Sequence, residues 1–282
     1  MKLVTLGHGY SAGFLTRLLV AQGWDVVGTT RRDGQSVTAT GARALNWTGD
    51  AAQITAELAN ADAILISAAP DADGDPALRD FRDAIAASKA SWIGYLSTTG
   101  VYGDRGGDWV DESATLTPTT PRGDERVRAE LSWRTLAEGF GLPLHIFRLA
   151  GIYGPGRGPL EKMRSGQARR IVKPEQVFSR IHAEDIAQVL AASIARPNPG
   201  AVYNVCDDDP APPQDVLAYA SELLGVPVPP EEDFATAELS PMARSFYAEN
   251  KRVRNDRIKS ELGVQLKYPD YRSGLFALVS GE

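Results

Sequence analysis

The chain has 282 residues, 43% of them hydrophobic and 23% charged, with thirty basic against thirty-six acidic side chains and a net charge of −6. Such a composition suits a folded protein with a full core, and its acidic balance argues against a general nucleic-acid-binding surface while leaving room for a local anion pocket. The single cysteine, Cys206, excludes an internal disulfide and a cysteine cage for a metal, and no apolar run nears the length of a signal core or membrane span, so a cytoplasmic protein without membrane or nucleic-acid partners is expected.

Lys2 to Leu6 reads as a short buried strand, and Phe14 to Ala21, with Leu15, Leu18 and Leu19 on one face, as a helix. Between them stands Gly7-His8-Gly9-Tyr10-Ser11-Ala12. Strand, glycine turn and helix are the context in which a Gly-x-Gly-x-x-Gly/Ala match gains meaning. Gly7 lets the backbone turn off the strand, Gly9 removes the side chain that would block a pyrophosphate, and Ala12 allows the helix close to the strand. Free N–H groups and the positive dipole end at Tyr10, Ser11 and Ala12 would face the phosphates. The alternative is a plain strand-to-helix turn without a ligand.

Trp24 to Thr29 is a second β-like run. An NAD-binding unit would carry an acid near its end for the ribose 2′-hydroxyl. This chain instead has Thr30-Arg31-Arg32, with no acid until Asp33. Guanidiniums and a hydroxyl suit a 2′-phosphate, so NADP(H) is expected as cofactor, with NAD as the alternative. The two arginines could also be a solvated loop pair. Ala44 to Trp47 reads as a brief strand, Gln53 to Ala59 as a helix, and Ala61 to Ser67 as a buried strand ending in Ala68-Ala69-Pro70, small residues across which a dinucleotide could lie. Pro76 to Lys89 reads as a helix, Trp92 to Thr99 as a strand, Arg126 to Phe140 as a helix and Pro143 to Arg148 as a strand. Regular alternation predicts an α/β fold, a Rossmann-type doubly wound parallel sheet.

After Gly151 the texture changes. Gly151 to Gly158 is loop chemistry, Val177 to Ile181 a strand, His182 to Ala195 a helix and its entry, and Ala201 to Val205 a further strand. Asp207-Asp208-Asp209 reads as a solvated turn, and the acidic stretch beyond the proline-rich Val226–Pro230 link as a mobile segment. The expected division is a dinucleotide-binding domain over 1–155, to which 177–206 return, and a smaller substrate-binding region from 156–176 and 207–282.

Three further stretches carry a family signature: Leu96-Ser97-Thr98-Thr99-Gly100-Val101-Tyr102-Gly103, Arg148-Leu149-Ala150-Gly151-Ile152-Tyr153-Gly154-Pro155-Gly156 and Arg180-Ile181-His182-Ala183-Glu184-Asp185. With the glycine turn they resemble the extended short-chain dehydrogenase/reductase superfamily, which includes nucleotide-sugar epimerases and dehydratases. Asn250 to Asn255 and Tyr268 to Arg272 resemble its atypical YeeZ-like subgroup. The resemblance implies a hydroxyl residue where Thr98 stands, then a catalytic Tyr-x-x-x-Lys. Pro121, Gly123 and Glu130 fall into place around that motif, which puts Arg122 at the tyrosine position and Arg126 at the lysine position. Arginine stays protonated and cannot replace a phenol whose pKa a lysine lowers. Beside Thr98 two arginines would make an anion-holding pocket. Tyr102 and Tyr153 read as loop anchors, and His182 as orienting the loop before its helix.

The resemblance also places Arg157 in a substrate-facing loop and Arg180 where relatives hold a substrate diphosphate, which implies a small, anionic substrate; surface arginines paired with carboxylates are the alternative. A homodimer is implied by the resemblance alone. Two functions follow: an NADP(H)-dependent reductase or epimerase-like enzyme on an anionic carbonyl or sugar-type substrate, or a catalytically inactive dinucleotide-binding sensor or scaffold.

Overall fold

Seven short strands, six of them mostly buried and the edge strand Arg43–Asn46 burying only Leu45, line up as one parallel sheet in the computed structural model, which describes residues 1–281. They are β1 (Lys2–Leu6), β2 (Asp25–Thr30), β3 (Arg43–Asn46), β4 (Ala63–Ile66), β5 (Trp92–Thr98), β6 (Leu144–Leu149) and β7 (Val202–Val205), in spatial order β3-β2-β1-β4-β5-β6-β7. The order reverses between β1 and β4, and a crevice opens there beyond the carboxyl ends of the strands.

Both faces of the sheet are covered, which is why its strands read as nearly unbroken apolar runs. Successive residues of β1 alternate between the two cores, Leu3 on one side and Val4 and Leu6 on the other. The first core takes Leu15 and Leu19 of helix α1 (Tyr10–Ala21). The second takes Ile54 and Leu58 of α2 (Ala51–Ala59), Phe81 and Ile85 of α3 (Pro76–Ala86), and Trp133 and Leu136 of α4 (Pro121–Phe140). Helix α5 (Ala183–Ala195) adds Ile186, Val189 and Leu190 beside α1.

Helix α4 begins at Pro121, earlier than the apolar spacing predicts. The Thr120 hydroxyl accepts from the N–H of Gly123 (3.2 Å), and Pro121 occupies the first turn, where its missing N–H is no loss. Gly123 lets this helix end meet the turn after β5. A Cβ there would fall 3.0 Å from the Gly100 carbonyl oxygen.

A smaller core lies outside the sheet. Tyr153 and Leu160 pack with Val216 and Ala220 of α6 (Pro213–Leu224) and Tyr271 and Leu275 of α7 (Tyr271–Ser280). Of two expectations in this part, one fails and one holds only in part. The acidic stretch is no mobile segment: Glu231–Asp233 pairs in parallel with Arg170–Val172, and Glu231 and Glu232 meet Arg170 and Arg169. Asp207-Asp208-Asp209 is a solvated turn only in part, since Asp208 and Asp209 keep 42% and 41% of their side chains exposed but Asp207 does not. Asp208 pairs with Lys259 (2.6 Å) and Asp209 with Arg272 (3.2 Å), while Asp207 is 1% exposed and burial pushes its carboxyl well up. Among the described residues no helix is long and apolar enough to cross a membrane.

Candidate functional site

The turn from β1 into α1 is held by its own backbone and by Thr29 of β2. Gly7 has φ +84°, and a Cβ on it would lie 2.6 Å from the Ala68 nitrogen. Its N–H donates to the Thr29 hydroxyl (2.9 Å), that of His8 to the Thr29 carbonyl (2.8 Å) and that of Gly9 to the Gly7 carbonyl (2.9 Å). The first bond inside the helix runs from Gly13 N–H to the Gly9 carbonyl (3.0 Å), and no side chain caps the end. The N–H groups of Tyr10, Ser11 and Ala12 are therefore left over at the positive end of a twelve-residue helix. Nothing lies closer than 4.0 Å to a Cβ built on Gly9, so the space in front of them is open. A diphosphate fits this cradle.

His8 is a residue that motif reading passed over. Its ring lies under the turn, Nδ1 2.8 Å from the Thr5 hydroxyl and Nε2 3.1 Å from that of Thr40. Thr40 already donates to the Val37 carbonyl (2.6 Å), so it accepts from Nε2–H, and Thr5 donates to Nδ1. Gly28 makes the room, since a Cβ there would fall 2.5 Å from Nδ1. A glycine inside β2 was the available signal.

Burial pushes the chain's three histidines, His8, His145 and His182, each down to about 4. Their rings are neutral in the folded chain, whereas unfolded imidazoles titrate near 6.5. The unfolded state thus takes up protons first as pH falls, so stability present above about pH 6.5 is lost on the way to about pH 4. Ring-proton NMR signals are expected to stay flat between about pH 8 and pH 5, while the urea-unfolding free energy declines below about pH 6.5. An imidazole titrating near neutrality would contradict the burial.

The crevice walls come from neighbouring strands. Ala68 lies against Gly7 and donates to the Leu6 carbonyl (3.0 Å); Ala69 is exposed and Pro70 buried. At the end of β2 the Thr30 hydroxyl accepts from the N–H of Arg32 (3.1 Å), and both arginines are exposed. Arg31 lies over Trp47 (5.7 Å), whose indole N–H donates to Asp80 (2.6 Å). Carboxylates nearby have other partners: Asp71 and Asp80 meet Arg79, and Asp33 accepts from the N–H of Gln35 (3.2 Å).

Thr98, half-buried at the end of β5, accepts from the N–H of Gly100 (3.1 Å). Below it runs a buried polar network. Ser97 donates to Glu130 (2.6 Å), which takes two bonds from Arg148 (3.1 and 2.8 Å). Arg148 also donates to the Tyr102 hydroxyl (2.9 Å), which donates to Asn204 (2.7 Å). Tyr102 is thereby an anchor, its phenol pushed up to about 12 by burial. Tyr153 is 3% exposed and donates to the Asp270 carbonyl (3.3 Å), and His182 accepts from the N–H of Glu184 (3.3 Å) at the start of α5.

The two arginines at the start of α4 part company. Arg122 is exposed and makes no side-chain hydrogen bond or ion pair among the described residues. Arg126 turns inward, where it donates to the Leu96 carbonyl (2.6 Å) and the Tyr95 hydroxyl (3.1 Å) and lies over the Tyr95 ring. Tyr95 is fully buried, which raises its phenol far from neutrality.

Arg157 sits over the ring of Tyr10 (5.4 Å), at the glycine turn. Arg180 lies apart, donating to the Phe178 and Ala211 carbonyls (2.8 and 3.0 Å) beside the buried Asp207. The structure therefore gathers Gly7–Ala12, Thr30–Arg32, Ala68–Pro70 and Arg157 around one crevice. Thr98, Arg122 and Arg126 belong to the next strand and the helix start packed on it.

The sequence pattern of the NAD dependent epimerase/dehydratase family matches residues 3–206. Protein YeeZ of Escherichia coli (strain K12) is 29% identical over 289 residues, covering 95% of this chain and 97% of YeeZ. A functionally unknown conserved protein from Silicibacter pomeroyi DSS is 59% identical, with a TM-score of 0.94 over 99% of this chain and 98% of that one. UDP-glucuronic acid 4-epimerase from Bacillus cereus, in complex with NAD, shares the fold at 17% identity, with a TM-score of 0.79 over 100% of this chain and 99% of that one.

Proposed function

The chain belongs to the NAD dependent epimerase/dehydratase family, a dinucleotide-binding branch of the extended short-chain dehydrogenase/reductases, and from that premise we propose that it binds NADP(H) and acts as a reductase or epimerase-like enzyme on a small anionic carbonyl or sugar-type substrate. The class of cofactor, a nicotinamide dinucleotide, goes with the family; the preference for the 2′-phosphate is our reading. It is carried by one observation, the exposed Arg31 and Arg32 at the end of β2, where an acid would be needed for an unphosphorylated ribose.

On this reading the N–H groups of Tyr10 to Ala12 hold the diphosphate, Gly7 and Gly9 keep the cradle open, and Ala68-Ala69-Pro70 let the dinucleotide cross the sheet edge. Thr30, Arg31 and Arg32 hold the 2′-phosphate, with bidentate charge-assisted bonds from the guanidiniums. The nicotinamide, when bound, supplies hydride exchange with a carbon of the substrate. Thr98 offers a hydroxyl to orient the substrate, Arg122 and Arg126 stand at the dyad positions, and Arg180 offers a cation to the substrate's anionic group.

NADPH is expected to bind at least about tenfold more tightly than NADH, the scale of one charge-assisted bond. Arg31→Ala with Arg32→Ala should remove that difference by weakening NADPH alone. Nicotinamide fluorescence measures both, and equal affinities in the wild type would reject the assignment.

The second reading, a dinucleotide-binding sensor or scaffold without turnover, is favoured by one contact. Arg126, at the lysine position, is spent on the Leu96 carbonyl and Tyr95, so no side chain there exchanges a proton near neutral pH. NADPH oxidation across a panel of anionic carbonyls separates the two. Turnover supports the enzyme, and tight binding without turnover supports the sensor.

A further inference from the structure

Arg157 bears on the cofactor side of the crevice. Gly154 and Arg157 exchange two backbone hydrogen bonds (3.0 Å each), which closes Gly154-Pro155-Gly156-Arg157 into a tight turn. Gly154 is needed there, because a Cβ on it would lie 2.8 Å from the Tyr10 hydroxyl oxygen. That hydroxyl donates to the Pro155 carbonyl (2.9 Å), and the Arg157 guanidinium lies over the Tyr10 ring. Tyr10 is the first residue of α1, so the strap is tied down beside the helix end whose three N–H groups are left over.

The side chain of Arg157 is exposed and makes no hydrogen bond or ion pair among the described residues. Glu184, the acid close enough to influence Tyr10, is already paired with Lys267 (3.0 Å). A guanidinium held over an aromatic ring by a cation–π contact, with no hydrogen-bond acceptor of its own, keeps its N–H groups free for an anion.

We infer that Arg157 clamps the diphosphate of the bound dinucleotide against the start of α1, and so serves the cofactor rather than the substrate. This rests on the dinucleotide reading above. The helix end supplies N–H donors and a partial positive charge, and Arg157 supplies the full charge that this cradle otherwise lacks. The Tyr10 tie fixes where that charge stands.

Calorimetric titration of the wild type, Arg157→Ala, Arg157→Lys and Tyr10→Phe tests the clamp. The probes are NADPH and NADH, together with adenosine 2′-monophosphate and adenosine, which lack the diphosphate. Arg157→Ala should weaken the preferred dinucleotide about tenfold or more, the scale of a lost charge-assisted contact, and leave the diphosphate-free fragments within about twofold. Arg157→Lys should fall between, and Tyr10→Phe, which keeps the ring but frees the strap, should lose less than Arg157→Ala. Thermal unfolding checks that each variant is folded. Undiminished dinucleotide binding by Arg157→Ala overturns the clamp alone, as does an equal loss for the fragments. A wild type that binds neither dinucleotide overturns the reading of the crevice and the clamp with it.

Discussion

Glu130→Ala is expected to lower the unfolding free energy by about 3–5 kcal/mol, the largest stability loss from any single change considered, read by urea unfolding at neutral pH. Glu130 and Arg148 form a buried ion pair (2.8 Å), with side chains 2% and 3% exposed. Removing the carboxylate leaves the guanidinium in the protein interior without its charge partner and the Ser97 hydroxyl without its acceptor. The same logic predicts that the double change Glu130→Leu with Arg148→Met is milder than Glu130→Ala, because no charge is then stranded. A double variant less stable than Glu130→Ala would show that the network's value lies in its shape, not in its charge balance. Position matters here. The pair ties α4 to β5 and β6 next to Thr98, and so fixes the strand end and helix start that carry Thr98, Arg122 and Arg126.

Gly9→Val should abolish dinucleotide binding, by about a hundredfold or more, while changing thermal stability little. Gly9 has φ −97°, a backbone that any residue adopts, and nothing stands closer than 4.0 Å to its would-be Cβ. The Cβ of a valine there has only the Ser67 hydroxyl oxygen at 4.0 Å, and its methyls fill the space in front of the helix N–H groups. Gly7 behaves oppositely. With φ +84° and the Ala68 backbone 2.6 Å from its would-be Cβ, Gly7→Val strains the fold itself. The two neighbouring glycines therefore separate binding from folding. A Gly9→Val chain that still binds NADPH like the wild type would mean that no diphosphate lies over the turn.

The backbone of this crevice was legible in the residues. A five-residue strand with three apolar positions, a glycine turn and an amphipathic helix leave few arrangements, and the repeated alternation of strand and helix leads to a parallel sheet open at its carboxyl edge. Where local pattern weakens, the reading stops. Residues 122–126, charged apart from Gly123, carry no helical period, so the start of α4 had to be set by the Thr120 cap and the approach of Gly123 to Gly100.

Long side chains were the harder part, because their destinations depend on contacts distant in sequence. Arg122 and Arg126 are one helical turn apart, yet one is exposed and the other reaches back to Leu96. Asp207, in a run of three acids, is buried, because β7 delivers it beneath Arg180. The pairing of His8 with Gly28 joins the turn after β1 to β2 and has no local signal beyond the glycine itself.

A crystal structure of the chain soaked with NADP+ reaches the central claim most directly. The account predicts diphosphate oxygens about 3 Å from the backbone nitrogens of Tyr10, Ser11 and Ala12, and the 2′-phosphate against Arg31 and Arg32. Density for the dinucleotide anywhere else, or a crevice that stays empty at saturating NADP+, would contradict it.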